Sequence, residues 1–196
     1  MTLKLNVVIA STRPGRIGPK IAGWVADFAS QNSDFEVELV DLAEFDLPLL
    51  DETGHPRAQA YEHEHTKRWS SSAASADAFV FVTPEYDYFA PASLVNALQV
   101  LAAEWSYKPA GLVGYGGISG GLRAIQGEKL LLANLGMMPI PQEVPVPMVW
   151  DYLGEDGVFT PSEPIADGTR GMLAELHKWA GALAPLRKQE QERKAA

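Results

Sequence analysis

One eight-residue segment of the chain combines two hydroxyl groups with two guanidinium groups. It runs from Ser11 to Gly18, reads Ser-Thr-Arg-Pro-Gly-Arg-Ile-Gly, and lies between an apolar run and residues with helical spacing. Hydroxyls and the free N–H groups of a helix start can surround a phosphate, and Arg13 and Arg16 can add charge-assisted hydrogen bonds. The glycines of G-x-G-x-x-G and the Gly-Lys-Ser/Thr of a Walker loop are absent, so the segment predicts a monophosphate ligand. A solvated connection with two surface arginines is the alternative.

A second segment places polar and aromatic groups directly after an apolar run. The run from Phe79 to Val82 is followed by Thr83-Pro84-Glu85-Tyr86-Asp87. Such a run, bounded by proline, is typical of a buried parallel strand, and open α/β sheets bind ligands just past the carboxyl ends of these strands. A flat heteroaromatic ring could pack against this segment. An ordinary proline turn would explain the same residues without a ligand.

A third segment is rich in glycine. Residues 114–121 read Gly-Tyr-Gly-Gly-Ile-Ser-Gly-Gly. Glycine lets backbone amides come close to a ligand because no side chain stands in the way. Taken alone, a tight turn is the simpler explanation of this segment.

The glycine-rich segment also fits the G-x-S-x-G pattern of serine hydrolases, with Ser119 as the nucleophile. Asp167 and His177 follow in the hydrolase order. However, His177 lies between Leu176 and Trp179 inside a predicted amphipathic helix, where a catalytic loop histidine is not expected. Hydrolysis is therefore the weaker alternative.

Three histidines raise the question of a metal site. His55, His63 and His65 lie close together in the sequence, with acidic neighbours. Side chains two residues apart on a helix point to different faces, so His63 and His65 are not expected to share a metal ion. A solvated polar helix face explains them better, and no metal is predicted.

Composition narrows the functional classes. The chain has 196 residues, 46% of them hydrophobic, a formal net charge of -9 and no cysteine. The acidity argues against a broad nucleic-acid surface, and the lack of cysteine excludes disulfides, thiolate metal sites and cysteine nucleophiles. No window reaches the ~18 apolar residues of a membrane span, and no secretory signal is apparent. We expect a cytoplasmic protein that binds neither nucleic acid nor membrane.

Strand-like and helix-like segments alternate through five cycles. Strands are expected at residues 3–10, 35–40, 78–82 and 110–114, with a short fifth one within 137–147. Helices are expected at about 19–29, 58–76, 92–103, 122–135 and 169–186. Right-handed crossovers then give an α/β fold with three layers and a doubly wound, five-stranded parallel sheet, for which we expect the order 2-1-3-4-5. Residues 1–186 are expected to form one domain, with a small hairpin within 149–165 and a frayed tail at 187–196.

Several short motifs occur in an order and at spacings that together resemble one enzyme family. They are Ser11-Thr12-Arg13 after the first strand, Val40-Asp41-Leu42, Leu47-Pro48, Thr83-Pro84-Glu85-Tyr86, Asn96-Ala97 and Lys108-Pro109. The chain resembles the NADPH-dependent FMN reductase family, which includes flavin, quinone, azo and chromate reductases. The resemblance covers most of the chain and implies a flavodoxin-like fold with noncovalently bound FMN. It departs at Asp87, where the family commonly has Asn.

The resemblance also implies which residues hold the cofactor. The phosphate would be bound by Ser11, Arg13, Arg16, Ile17 and Gly18, and the isoalloxazine ring by Pro84, Glu85, Tyr86, Asp87, Tyr115, Gly116, Gly117 and Ser119. The implied reaction passes a hydride from NADPH or NADH to flavin N5, and then two electrons to a small acceptor. No side chain is expected to act as a catalytic acid or base. A flavodoxin-type electron carrier or a flavin-binding module is the non-enzymatic alternative.

Finally, the resemblance implies a homodimer or homotetramer with the helix after Pro91 near the interface. The candidate contact residues are Leu94, Leu98, Leu101 and Trp105, although burial within one subunit would explain the three leucines equally well. All five tryptophans, including Trp150, are expected in the core or at an interface rather than as stacking partners.

Overall fold

Five parallel strands form an open sheet at the centre of the molecule. The computed structural model describes residues 2–195, and its strands are β1 (Leu3–Ile9), β2 (Phe35–Asp41), β3 (Ala78–Pro84), β4 (Pro109–Tyr115) and β5 (Met138–Val146). They lie in the order β2-β1-β3-β4-β5, and each neighbouring pair is parallel. The predicted fold class and strand order are confirmed.

Helices cover both faces of this sheet. They are α1 (Gly18–Asn32), α2 (Glu64–Ser75), α3 (Ala92–Gln99), α4 (Leu122–Asn134) and α5 (Glu163–Ala195). Buried residues of α1 and α5 pack against one face, and those of α2, α3 and α4 pack against the other. Every residue of β3 is buried, because this strand has helices on both sides and neighbours along both edges. The carboxyl end of β3 therefore has a rigid position.

Helices α2 and α3 are shorter than predicted. α2 begins at Glu64 instead of residue 58, because Gln59 has a left-handed backbone (φ 52°) and His63 is the N-cap. α3 ends at Gln99, and by Ala102 the backbone is no longer helical (φ -143°). Both ends are set by local backbone conformations that the apolar spacing did not reveal.

The candidate subunit contacts are core residues. Leu94, Leu98, Leu101 and Trp105 are all buried within the subunit. The indole N–H of Trp105 donates to the carbonyl of Leu98 at 3.0 Å, which satisfies its polar atom inside the core. The exposed side of α3 instead carries Ala92 and Gln99.

The last helix is longer than predicted. α5 spans Glu163–Ala195, so the segment expected to be a frayed tail is helical as far as Ala195. The buried guanidinium of Arg187 donates to Asp77 Oδ1 (2.8 Å) and to the carbonyl of Tyr107 (3.1 Å), which attaches this helix to the amino edge of the sheet. The hairpin expected before it is reduced to one antiparallel bridge between Leu153 and Phe159. Within residues 2–195, no helix is both long and apolar enough to cross a membrane.

Helix α4 carries a buried carboxylic acid that the sequence analysis did not single out. Glu128 is 1% exposed, and neither of its carboxyl oxygens has a hydrogen-bond partner among the described residues. An ionised carboxylate there would lose its hydration without compensation, so burial raises the pKa of Glu128 to about 8. The side chain is therefore predominantly neutral at pH 7.

Replacing Glu128 should remove a pH-dependent loss of stability. The unfolded chain releases this proton near pH 4.5 and the folded chain keeps it up to about pH 8, so the free energy of unfolding falls as pH rises between these values. We expect the stability advantage of Glu128→Gln over the parent protein to grow by on the order of 3 kcal/mol from pH 5 to pH 8, measured by urea unfolding. The exposed Glu155→Gln serves as control. An advantage of Glu128→Gln that does not change with pH would contradict the assignment.

Candidate functional site

The carboxyl ends of β1, β3 and β4 bring the three predicted segments to one edge of the sheet. There they enclose a cleft of about 260 Å³. The predicted residues that line it are Arg13, Arg16, Ile17, Pro84, Glu85, Tyr86, Tyr115, Gly116 and Gly117. Ser11, Gly18, Asp87 and Ser119 lie outside this lining. Val149 and Trp150, which follow β5, complete the cleft and were missed from the sequence.

An ion pair holds the first loop. The guanidinium of Arg16 donates two hydrogen bonds of 2.6 Å to the carboxylate of Asp41, and one to the carbonyl of Ser11. The bonds to Asp41 raise the pKa of Arg16. A phosphate bound by Arg16 would have to share this guanidinium with Asp41. Arg13 is exposed and is therefore the freer cation. Its Cζ lies 5.9 Å from the ring centroid of Tyr86.

The N-terminus of α1 opens onto the cleft. Its N-cap, Ile17, offers no side-chain hydrogen bond to the first turn, and Pro19 occupies one of the first positions. Uncapped N–H groups at the positive end of a helix dipole attract an anion. This end of the cleft therefore suits a phosphate group.

Tyr115 places a buried phenol next to the helix start. A Cβ atom at Gly18 would come within 2.8 Å of the Tyr115 hydroxyl oxygen, so this contact depends on glycine. The hydroxyl makes no hydrogen bond with the residues described, and burial raises its pKa. It is a neutral group that can hydrogen-bond a ligand in the cleft.

The second loop is a tight hairpin. Tyr86 and Phe89 exchange two backbone hydrogen bonds of 2.9 Å, and Asp87 and Tyr88 between them both have positive φ (49° and 72°), as a type I′ turn requires. The Tyr86 hydroxyl also hydrogen-bonds the Ser11 hydroxyl at 2.8 Å. Asp87 is exposed at the tip of the hairpin. Asp, like the Asn that the family commonly has at this position, tolerates the left-handed conformation.

Glu85 joins the second and third loops. Its carboxylate accepts hydrogen bonds from the Ser119 hydroxyl (2.9 Å), the backbone N–H of Arg123 (3.1 Å) and the Arg123 Nε (2.6 Å). Burial by itself would raise the pKa of Glu85, but these hydrogen bonds outweigh it and the pKa lies below its ordinary value. Glu85 is thus a paired anion. Ser119 does not line the cleft, but it hydrogen-bonds Glu85, which does.

Arg123 was missed by the sequence analysis. It belongs to the first turn of α4, and its Cζ also lies 3.7 Å from the ring centroid of Tyr88. No sequence spacing links Arg123 to Glu85, so only the folded chain reveals the pair. The position of Trp150, by contrast, could have been predicted from the sequence, because it follows the fifth strand at the ligand-binding edge.

The glycines of the third loop serve two different purposes. Gly121 has φ +81°, and a Cβ atom there would lie 2.4 Å from the backbone nitrogen of Tyr115, so it is needed for the turn. Around Gly117, a Cβ atom would meet nothing within 4 Å. The N–H of Gly116 already donates to the carbonyl of Val146 (3.3 Å). Gly117 is therefore the position where the backbone is open to a ligand.

The hydrolase triad is not assembled. The Ser119 hydroxyl donates to Glu85, and Asp167 forms an ion pair with Arg170. The ring of His177 packs edge-on against Phe35, at the start of β2, with 5.0 Å between centroids. Ser119 and His177 thus lie at opposite edges of the sheet.

The histidines adopt an arrangement that differs from the predicted one. His63 precedes α2 instead of lying within it, and its ring stacks on that of His65 with 5.2 Å between centroids. The Nε2 atoms of both rings face Asp51, at 3.7 and 3.1 Å. In the part of the chain that the structure describes, no cluster of three or more side chains is arranged to hold a metal ion.

The strand order and the cleft at the carboxyl edge define a flavodoxin-like domain. Within this class, the chain belongs to the family described as NADPH-dependent FMN reductase, whose family model matches residues 3–151. It is 38% identical to an NAD(P)H-dependent FMN reductase of Schizosaccharomyces pombe over 196 residues, which cover 99% of this chain and 95% of the relative. The predicted family resemblance is confirmed.

Other similar proteins agree with this assignment. The chain is 30% identical to a quinone reductase of Pseudomonas putida over 176 residues, which cover 85% of this chain and 87% of the relative. Its fold is similar to that of FerB, a flavoenzyme NAD(P)H:acceptor oxidoreductase from Paracoccus denitrificans, with a TM-score of 0.70. That match has 23% sequence identity and covers 92% of this chain and 98% of the other.

The residues of the cleft fit FMN. The uncapped start of α1 and the exposed Arg13 suit its phosphate. The unpartnered hydroxyl of Tyr115 lies beside the same helix start, and the open backbone at Gly117 suits the polar edge of a flat ring.

Removing Arg123 should weaken FMN binding because Glu85 would lose its strongest partner and the second and third loops would separate more easily. We expect Arg123→Ala to raise the FMN dissociation constant about 10-fold, or about 1.4 kcal/mol, measured by titrating the apoprotein and following flavin fluorescence. Lys129→Ala is the matched control, since Lys129 lies on the same helix but pairs with Glu143. Equal dissociation constants for both variants would refute the role of Arg123.

Proposed function

We propose that this protein is an FMN-dependent NAD(P)H oxidoreductase that passes two electrons from NADPH or NADH to a small acceptor. One observation carries the proposal. The cleft combines a helix start suited to an anion, one buried and one partly exposed tyrosine, and an open glycine backbone at the edge where this fold binds ligands. Quinones are the acceptor class named for three of the relatives, and they are included among the acceptors proposed for this protein.

The first loop would hold the phosphate of FMN. Arg13 and the N–H groups of Ile17 and Gly18 supply the contacts, since Pro19 has no N–H and that of Lys20 donates to the carbonyl of Ile17 (3.0 Å). Arg16 keeps the loop in place through Asp41. Ser11 contributes indirectly, because its hydroxyl is bonded to Tyr86 and its carbonyl to Arg16. The predicted direct contacts from Arg16 and Ser11 stay predictions.

The second and third loops would hold the flavin ring. Pro84 to Tyr86 line one part of the cleft, and Gly117 brings an open backbone amide to another. FMN, when bound, would supply the hydride-accepting and two-electron chemistry. No side chain is assigned as an acid or base, because the carboxylate of Glu85 is already bound to Ser119 and Arg123.

Absorbance spectroscopy tests the proposal directly. We expect the protein to bind FMN, to show the flavin absorbance bands, and to lose the long-wavelength band when NADPH or NADH is added without oxygen. Adding 1,4-naphthoquinone should then restore the oxidised spectrum. A protein that takes up no FMN would sink the proposal. Bound FMN that is not reduced by either nicotinamide would instead indicate an electron carrier.

We further propose that the protein forms a homodimer or homotetramer through the exposed side of α3. Leu49 is 79% exposed and lines a depression with Phe89 and Val95, and Gln99 connects it to a larger groove of about 680 Å³. Exposed apolar surface of this kind is typical of a protein contact. The predicted cytoplasmic location and the single domain over residues 1–186 stay predictions.

The proposed interface predicts the effect of a charge at Leu49. We expect the parent protein to have at least twice the mass of one chain in light scattering at micromolar concentration, and Leu49→Glu to shift it toward the monomer because an interface would bury the new carboxylate. Val158→Glu, an exposed apolar position in the chain between β5 and α5, is the control. A parent protein with the mass of one chain would rule out this interface.

A further inference from the structure

Trp150 is an exposed tryptophan at the rim of the cleft. It lines the cleft, yet 61% of its surface is exposed. Its neighbours in the same 3-10 turn, Val149 and Tyr152, pack into the core, and Tyr152 makes an edge contact with Phe159. The indole of Trp150 stays outside the core into which Val149 and Tyr152 pack, so it is available to contact a ligand.

The backbone fixes the position of Trp150 relative to the third loop. The N–H of Met148 donates to the carbonyl of Gly117 (2.9 Å), and that of Val149 donates to the carbonyl of Gly116 (3.0 Å). Met148 itself has a left-handed backbone (φ 46°), which is unfavourable for a residue other than glycine and persists only where neighbouring contacts impose it. Trp150 is therefore held beside the cleft by the same backbone that borders it.

The size of the cleft decides what Trp150 can contact. The cleft measures about 260 Å³ and opens to solvent, so a flavin ring bound in it would leave little enclosed space for a second planar reactant. With the flavin ring inside, the second reactant must lie at the mouth. Trp150 and the partly exposed ring of Tyr86 are the aromatic groups that line this cleft and reach its surface.

We propose that Trp150 determines acceptor specificity by stacking on planar aromatic acceptors at the mouth of the cleft. The inference rests on the proposed function. NADPH supplies a hydride, which is two electrons and a proton. 1,4-Naphthoquinone takes both electrons with two protons, one of them from solvent, and becomes the hydroquinone. Two ferricyanide ions take one electron each and leave the proton to solvent, and they offer no flat ring to stack on the indole.

The test compares these two acceptors in holoprotein variants. We expect Trp150→Ala to raise the KM for 1,4-naphthoquinone about 10-fold and to change the KM for ferricyanide less than about 2-fold, because only the quinone loses a stacking partner. Trp150→Phe, which keeps an aromatic ring, should recover most of the difference. Val158→Ala is the control, since Val158 has similar exposure in the same connection but does not line the cleft.

Two further measurements separate the possible outcomes. Binding of 2-naphthol, a planar aromatic that is not reduced, should perturb the flavin absorbance at about 10-fold higher concentration in Trp150→Ala, and the FMN dissociation constant should not change. The role of Trp150 would be overturned, without affecting the proposed function, by either of two results. One is unchanged KM values for both acceptors in Trp150→Ala. The other is an equal rise in both KM values together with weaker FMN binding. A parent protein that binds no FMN would overturn the proposed function, and this inference with it.

Discussion

The carboxylate of Glu85 is the group on which the shape of the cleft depends. It is almost completely buried between the second and third loops, and it receives the hydroxyl of Ser119 and both the side chain and backbone of Arg123. Leaving a buried charge without its partners is far more costly than the pair is stabilising, so the two loops are strongly coupled. The cleft is consequently arranged before a ligand arrives, which lowers the entropy lost on binding.

Much of the family resemblance rests on residues that never reach the cleft. Asp41 holds Arg16, and the side chain of Asn96 donates to the carbonyl of Pro48 (2.7 Å). Lys108 donates to the carbonyl of Ala73 at the end of α2 (2.7 Å), and burial lowers its pKa to about 8. These residues fix connections between elements. A motif can therefore identify the family correctly while saying little about which side chains touch the ligand.

The sequence predicted the fold and most of the cleft, but not the side-chain pairs. The apolar run of β3 and the placement of loops at one sheet edge follow from local composition and the geometry of parallel strands, which are visible without coordinates. The pairing of Arg16 with Asp41 was not foreseen, because a sequence shows a cation but not its partner, and Asp41 lies 25 residues away. Arg123 was missed for the same reason. The start of α2 was misplaced because turns near Gln59, rather than apolar spacing, determine it.

The two edges of the sheet have different roles: one carries the cleft, and the other anchors the last helix. The cleft occupies the carboxyl edge, while Arg187 ties the last helix to Asp77 at the amino edge. Lys188, the next residue, is largely exposed. A protein attached to a solid support through this side chain would stand with its cleft facing the solution. The same geometry that anchors the end of the chain thus supplies a natural orientation for immobilising the protein on an electrode.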